Sequence, residues 1–282
     1  MKTKNHDIKK RISSIVIWTI LILGAISQLF PIIWMVNYSL LKDTEVLTAH
    51  FLQLPNPPQW QNYSYAWTQG HIARNFINSM IVCGAAVLLV SFLSLTLGYA
   101  FTRIQWKFRG VFFAIILSAM MIPIYSTLLP NFKIYNTLGL TNTYWALILP
   151  YTAFNLPMAI FIMTGFLETI PKALEESAII DGCGTYGVMF RIIAPLSKSA
   201  ISTVAIMTFL PCWNEFIMAI TYITDNSMKT LPFSVWEFSG QYVSQYAKQF
   251  AVFALSSIPM LILYIIFNKK ITEGVIAGAV KG

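Results

Sequence analysis

Long apolar stretches alternate along the chain with shorter polar connections. A helix needs about 20 mostly apolar residues to cross about 30 Å of hydrocarbon, because each residue adds about 1.5 Å. Six stretches are long enough: residues 15–40, 76–101, 111–130, 143–166, 199–221 and 249–267. The pattern therefore predicts an all-α membrane protein with six transmembrane helices, forming a single domain over residues 1–282.

Two local features bear on these spans. The first stretch continues through SQLFPIIWMVNYSL without the small-residue site of a cleaved signal peptide, so we expect it to remain as a span. Prolines that would break a helix in water are tolerated as kinks in a packed membrane bundle. Five of the six spans contain such a proline: Pro31, Pro123, Pro150 with Pro157, Pro211 and Pro259.

The composition supports a membrane environment. Hydrophobic residues make up 56% of the chain and charged residues 11%, whereas a soluble domain carries about 25% charged residues. The mean hydropathy is +0.64. The three cysteines, Cys83, Cys183 and Cys212, show no ligand spacing, so we expect neither a disulfide framework nor a metal site.

The net charge of +8 is explained by topology rather than by nucleic acid. With the N-terminus inside, 14 of the 19 Lys and Arg residues fall on the cytoplasmic side, as the positive-inside rule requires. The five left outside are Lys42, Arg74, Lys133, Lys229 and Lys248. We therefore expect both termini to be cytoplasmic and the basic side chains to face anionic lipid.

The acidic residues concentrate in the longest cytoplasmic connection, residues 168–198. Of the 11 acids in the chain, Glu175, Glu176 and Asp181 fall within seven positions. Pro171 suits a first helical turn and Gly182 a helix end, so residues 171–181 are predicted to be helical. Helical geometry places Glu175 and Glu176 together on one polar face. Asp181 would lie at the negative end of the helix dipole, where a carboxylate is disfavoured.

Two interpretations of this helix are open. It could lie at the lipid headgroups, although interfacial helices usually carry Lys and Arg on their polar face. It could instead dock another protein, since the small residues of its second face permit close approach.

The spacing of this loop resembles the EAA loop of permease subunits in bacterial ATP-binding-cassette (ABC) importers. That pattern reads Glu-Ala-Ala, three residues, Gly, nine residues, Ile, one residue, Leu-Pro. The chain supplies Glu176, Ser177 and Ala178, then Gly182, then Ile192 and Pro195 at the same spacing. It departs from the pattern at Ser177 and at Ala194, where the family usually has Ala and Leu.

Three further segments resemble the carbohydrate branch, of the maltose type. They are WQNYSYAW with NFINSM (residues 60–67 and 75–80), WNEFIMA with KTLPF (213–219 and 229–233), and the ending EGVIAGAVKG (273–282). The resemblance implies a type I importer permease fold with a cytoplasmic coupling loop, in a bacterial cell membrane. It also implies the partners: a second permease, two ATPase subunits and an extracellular sugar-binding protein.

The resemblance assigns roles to residues of the loop and of the tail. Glu176 would pair with a basic residue in an ATPase cleft, Gly182 would permit the turn after the helix, and Pro195 would begin the return to the membrane. The ATPase-coupling residues are Glu175, Glu176, Ser177, Ala178, Asp181, Gly182, Ile192 and Pro195. The tail residues Gly278, Lys281 and Gly282 would contact the ATPases, although a glycine-rich terminus is also typical of a frayed end.

Two external regions carry weaker predictions. Glu215 is the one ionisable residue inside the six predicted spans, and with Trp213 and Asn214 it suits a sugar path. It could equally extend to the outer interface. Tyr242 and Tyr246 would contact the binding protein by family resemblance, or would simply belong to an interfacial aromatic belt.

Other function classes fit less well. An ion-coupled secondary transporter would need ionisable groups near the midplane, and only the off-centre Glu215 is available. A membrane enzyme would need clustered His, Asp or Cys, but His6, His50 and His71 are isolated. The chain also lacks a GK[ST] phosphate loop. We therefore expect it to bind no cofactor, with ATP and magnesium held by the partner ATPases.

Overall fold

The computed structural model describes residues 2–51, 53–240 and 245–279; its account of side chains leaves out residues 2–13, 263, 264 and 266–279. Every regular element in these ranges is helical. The α-helices are α1 Lys2–Ser39, α2 Asp43–Val46, α3 Gln61–Gln69, α4 Ile72–Arg103, α5 Arg109–Ser118, α6 Leu128–Thr137, α7 Trp145–Leu167, α8 Ala173–Ile180, α9 Thr185–Gly187, α10 Ala194–Leu196, α11 Lys198–Asn214, α12 Ile217–Tyr222, α13 Phe233–Trp236 and α14 Tyr246–Ala279.

Three predicted spans are long apolar helices. They are Ser14–Ser39 within α1, Ile72–Arg103 and Trp145–Leu167, each long and apolar enough to cross a bilayer. The window in α1 is 0% buried against the rest of the described chain, and its exposed surface is made of residues such as Ile15, Trp18 and Leu23. Such a surface is stable in lipid rather than in water.

The third predicted span, 111–130, is not one straight helix. The segments Arg109–Met121 and Ile124–Thr137 meet at 93°. Ile122 and Pro123 have ψ angles of 118° and 122° at the break. Proline disfavours the helical conformation of the residue before it and donates no backbone hydrogen bond, which explains the interruption.

The fifth predicted span, 199–221, is also corrected. Helix α11 ends at Asn214, Glu215 adopts an extended ψ of 129°, and α12 begins at Ile217. On the other side, α11 meets the segment Thr185–Leu196 at 77°. The sixth predicted span lies within α14, which continues to Ala279. By contrast, Pro31, Pro150, Pro157, Pro211 and Pro259 all lie inside helices, as expected.

The chain divides into two compact units. The first comprises the described residues up to Ile72 together with Ser234–Ile258. Its core packs Tyr38, Leu41, Val46 and Ala247, with Trp34 edge-on to Phe250 at 5.4 Å between ring centroids. Asn62, from the WQNYSYAW motif, donates to the carbonyls of Ser39 (2.8 Å) and Leu41 (2.9 Å).

The second unit comprises the described residues of Ala73–Phe233 and those from Pro259 onward. Its buried apolar cluster joins α4, α7, α8 and α11 through residues such as Tyr99, Met163, Leu167, Ala178 and Val204. Helices α4 and α7 approach closely at Gly98, where a Cβ atom would lie 2.8 Å from Met163 Cγ.

The same unit explains two of the sequence motifs. Asn78, from NFINSM, donates to the carbonyls of Ser227 (2.8 Å) and Lys229 (2.9 Å), and its own oxygen accepts from Tyr144 Oη at 2.8 Å. The backbone N–H of Leu231, within KTLPF, donates to Ser79 Oγ at 2.8 Å. The two motifs are therefore joined by hydrogen bonds across about 150 residues of sequence.

Candidate functional site

The acidic loop contains a short helix, α8, between the membrane helices α7 and α11. It spans Ala173–Ile180, slightly shorter than predicted. Glu176 is exposed, whereas Glu175 is only 7% exposed and Ala178 only 4%. The prediction that Glu175 and Glu176 share one polar face is therefore wrong. Helix geometry shows which residues lie side by side, but the buried side is chosen by what packs against it.

Glu175 is buried because α4 supplies partners for both of its carboxylate oxygens. Arg103 Nε donates to Oε1 in an ion pair whose side chains are 8% and 9% exposed. Tyr99 Oη donates to Oε2 at 3.1 Å. Tyr99 and Arg103 are four residues apart on α4, so they present both donors from one helix face.

The Arg103 guanidinium also contacts the end of α7. Its Nη2 atom donates to the carbonyls of Leu167 (2.8 Å) and Ile170 (2.7 Å). The Leu167 carbonyl is the last of α7 and the Ile170 carbonyl lies in the turn that follows it. A cation is favoured at this C-terminal end of a helix. A single arginine thus contacts α7 and α8 from the last residue of α4.

The exposed side of the loop combines acidic residues with large apolar side chains. Around Glu176 along the chain lie Leu174 (46% exposed), Ile179 (59%), Ile180 (86%) and Tyr186 (78%). An exposed apolar patch rimmed by polar residues is typical of a surface that contacts a protein or a membrane. Ser177 is exposed, and its hydroxyl donates to the Ala173 carbonyl at 2.8 Å, so this departure from the EAA pattern is satisfied within α8.

The helix ends at the glycine that the spacing indicated. Gly182 has a φ of +86°, in the left-handed region that suits glycine. The N–H of Cys183 donates back to the Ala178 carbonyl at 2.9 Å, closing the helix end. Asp181 is exposed beside this turn.

The loop returns toward the membrane through a bent segment. Residues Val188–Ile193 form a π-helical turn, and α10 follows with Pro195 near its start. Ile192 is half-buried against the apolar cluster of the second unit, and Pro195 is exposed. The bend comes at Ser197, directly before α11, so Pro195 lies where the chain turns into the membrane helix.

Glu215 is buried rather than extended to an interface. It is 9% exposed and accepts hydrogen bonds from the backbone N–H groups of Met218 (2.7 Å) and Ala219 (3.1 Å). Tyr151 Oη also donates to it at 2.8 Å. Glu215 therefore caps α12, where the carboxylate satisfies N–H groups that have no helical partner.

Trp213 and Asn214, which precede Glu215, differ in their exposure. Trp213 is 3% exposed, stacked on Phe209 (5.2 Å) and edge-on to Phe76 (5.7 Å). Asn214 is exposed, and its amide donates to the Leu210 carbonyl at 3.0 Å. Of the predicted sugar-path residues, only Asn214 presents a polar side chain at the surface.

Some predicted contacts fall at or beyond the limits of the described chain. Tyr246 begins α14 and packs against the core of the first unit. Gly278 lies in the last turns of α14. Tyr242, Lys281 and Gly282 lie outside the described residues.

Sequence reasoning missed Tyr99 and Arg103. Arg103 entered the prediction only as one of the positive charges that set the topology. Two signals were available: an arginine directly after an apolar span, and a tyrosine four residues before it. Neither identified Glu175 as the partner, which lies 72 positions further along the chain.

A comparison with protein families identifies the family of the chain. The family model described as "Binding-protein-dependent transport system inner membrane component" matches residues 91–276. The chain belongs to this family.

Curated relatives of this inner membrane component match along most of their length. The probable ABC transporter permease protein YurM of Bacillus subtilis is 35% identical over 94% of this chain and 88% of its own. The trehalose/maltose transport system permease protein MalG of Thermococcus litoralis is 33% identical over 93% of this chain and 94% of its own. The sulfoquinovosyl glycerol transport system permease protein SmoH of Agrobacterium fabrum is 30% identical over 91% of this chain and 90% of its own.

A solved structure confirms the fold. A chain from the crystal structure of a bacterial ABC transporter involved in the import of the acidic polysaccharide alginate matches with a TM-score of 0.78. The match covers 92% of this chain and 96% of that chain at 21% identity. The predicted importer permease fold is therefore confirmed, and this inner membrane component is a transport subunit of a multi-pass kind.

Proposed function

We propose that this chain is one permease subunit of an ATP-driven sugar importer. With a second, different permease it would form the pathway for a sugar delivered by an extracellular binding protein. The relatives that match most of the chain include permeases named for trehalose and maltose, for sulfoquinovosyl glycerol, and for melibiose, raffinose and stachyose. This breadth supports a sugar as the class of substrate.

The exposed side of α8 is the observation that carries the coupling part of the proposal. Glu176 is presented to solvent among Leu174, Ile179 and Ile180, while Gly182 closes the helix in the conformation that the EAA spacing requires. This surface suits a cleft on a cytoplasmic ATPase, with Glu176 facing a basic residue there. The chain itself would bind neither ATP nor magnesium.

Orientation and the remaining contacts complete the proposal. Both termini would face the cytoplasm of a bacterial cell, where Gly278 and, beyond the described residues, Lys281 and Gly282 would meet the ATPase subunits. Tyr242 and Tyr246 lie outside, near the binding protein. Because Glu215 is buried and its carboxylate caps α12, the sugar path from this chain would retain Asn214 and the surfaces around it.

Co-purification tests this proposal. The chain is tagged, extracted in mild detergent from membranes of its native host, and its partners are identified by mass spectrometry. We expect a second permease and an ATPase in stable ratio. Isolation of the chain with neither partner would contradict the importer and would favour an ion-coupled carrier.

A further inference from the structure

The buried contact between the acidic loop and the membrane helices has a role that the docking surface does not explain. We name it the Arg103 cluster: the side chains of Tyr99, Arg103 and Glu175 with the carbonyl oxygens of Leu167 and Ile170. Its ion pair is almost fully enclosed, with side chains 8% and 9% exposed. Glu175 is buried in this cluster, whereas the next residue along α8, Glu176, is exposed.

The hydrogen bonds of this cluster tie three elements together at one place. Both oxygens of Glu175 on α8 are held by α4, through Arg103 Nε and Tyr99 Oη. The same guanidinium is fixed to the end of α7 through Leu167 and Ile170. Arginine suits this task because its planar group donates in several fixed directions at once.

Apolar packing around the cluster limits movement between the same elements. Ala178 of α8 is 4% exposed and lies in one buried cluster with Tyr99, Leu167 and Ile170. Beside Tyr99, Gly98 allows α4 to approach Met163 of α7 without room for a Cβ atom. Helices α4, α7 and α8 are therefore held together both by hydrogen bonds and by close apolar packing.

A buried ion pair is a poor device for stability alone. Its desolvation cost is comparable to its attraction, and apolar residues of similar volume often stabilise a fold as well. Its hydrogen bonds are directional, however, and each one fixes the position of one helix relative to another. The arrangement suits a rigid connection between α8, which a partner would displace, and the membrane helices α4 and α7.

We infer that the Arg103 cluster fixes the coupling helix α8 to the ends of α4 and α7, so that a displacement of α8 moves both membrane helices. Glu175 and Arg103 are positioning residues in this scheme, and the neighbouring Glu176 makes the contact with the ATPase. The inference rests on the proposed function, because it needs a partner that displaces α8.

The first arm of the test separates docking from transmission. In the complex purified from the native host, Glu175→Gln is compared with Glu176→Gln and with the control Glu45→Gln, whose carboxylate lies on the short helix α2. We expect Glu175→Gln and Glu45→Gln to retain the ATPase at the wild-type ratio, while Glu176→Gln loses it. Loss of the ATPase from Glu175→Gln to the same extent would overturn the assignment, since Glu175 would then belong to the docking contact.

The second arm measures transmission by hydrogen exchange with mass spectrometry. The complex is compared without nucleotide and after trapping with ATP and vanadate. In the wild type we expect trapping to change hydrogen exchange in α8 and also in the last turns of α4 and α7. In Glu175→Gln we expect the change in α8 to persist and the changes in α4 and α7 to be lost. Changes of wild-type size in all three helices would refute the connection.

Two further variants keep the test interpretable if Glu175→Gln does not fold. Tyr99→Phe removes one hydrogen bond and keeps the ion pair, so a partial loss of the same changes is expected. Arg103→Gln with Glu175→Gln leaves no buried charge unpaired; we expect it to fold and retain the ATPase but to remain uncoupled. Normal transmission in this double variant would overturn the inference. A wild-type chain that carries no ATPase at all would instead contradict the proposed function.

Discussion

Glu175 and Glu176 are adjacent carboxylates with different chemical environments. Glu175 is enclosed by donors from α4, and its charge is balanced within the chain. Glu176 is exposed, so its charge is available to a partner. At the residue scale, the account therefore assigns internal positioning to one carboxylate and external contact to its neighbour.

Replacing Glu176 tests the external contact. An exposed ion pair contributes at most about 1 kcal/mol, but truncating one partner of a buried pair costs about 3–5 kcal/mol. Since about 1.4 kcal/mol corresponds to a tenfold change in affinity, we expect Glu176→Gln to weaken ATPase retention at least about tenfold. Co-purification at graded detergent and salt concentrations measures it. The control Glu45→Gln should match the wild type; equal retention by both variants would count against the contact.

Replacing Glu215 tests its capping role. Glu215→Ala leaves the N–H groups of Met218 and Ala219 and the Tyr151 hydroxyl without this acceptor, at a cost of about 1–3 kcal/mol. The midpoint of thermal unfolding in detergent should fall by several degrees. The exposed neighbour offers a control, because Asn214→Ala removes only a bond within α11 and should leave the midpoint nearly unchanged. Equal midpoints for the two variants would argue against the cap.

At the scale of elements, prolines had different effects that the sequence does not distinguish. Pro150 and Pro157 lie buried inside α7, which continues through both of them. Pro123 coincides with a 93° break between two segments whose residues there are largely exposed. Neighbouring helices can hold a kinked helix together, so the outcome depends on packing that a hydropathy pattern does not contain.

The end of α8 provides a test of local backbone geometry. The left-handed conformation of Gly182 costs another residue about 1–2 kcal/mol, so Gly182→Ala should destabilise the loop by that amount. Gly184→Ala is the matched control, since Gly184 has a negative φ and open space around its Cβ position. Hydrogen exchange in residues 174–184 measures the difference. Unchanged protection in Gly182→Ala would show that the turn is not required.

The contact between α4 and α7 gives a second matched pair of glycines. Ala at Gly98 would gain about 1 kcal/mol of helix propensity but would overlap Met163 Cγ, and overpacking costs about 1–3 kcal/mol. We expect Gly98→Ala to lower the unfolding midpoint. Gly84→Ala on the same helix meets no atom within 4 Å and should not lower it. A higher midpoint for Gly98→Ala would mean that the two helices separate at little cost.

At the scale of the whole molecule, periodicity and composition predicted most of the fold. The long apolar stretches became helices because lipid satisfies apolar side chains while the helix satisfies its own backbone. The EAA spacing predicted the end of α8 at Gly182, and exposure of Glu176 agrees with it. These features depend on residues close together in sequence.

The parts that were missed depend on residues far apart. The burial of Glu175 requires Arg103, and the joining of two sequence motifs requires Asn78 to reach Ser227 and Lys229. Glu215 was predicted to lie at an interface or in a sugar path because the sequence did not show its hydrogen-bond donors, the Tyr151 hydroxyl and the first N–H groups of α12. A single sequence does not show which distant residues meet, because these contacts exist only in the folded chain.

The central claim is that this chain takes part in ATP-driven sugar import and that its acidic loop couples it to the ATPase. The most direct measurement is uptake of radiolabelled maltose, trehalose, melibiose and raffinose by native-host cells that lack the chain and carry either the wild type or Glu176→Ala. The account predicts that at least one sugar enters only with the wild type, although Glu176→Ala reaches similar abundance in the membrane. It also predicts that a protonophore leaves this uptake intact while ATP is maintained. Full uptake with Glu176→Ala, or uptake that collapses with the ion gradient, would contradict the account.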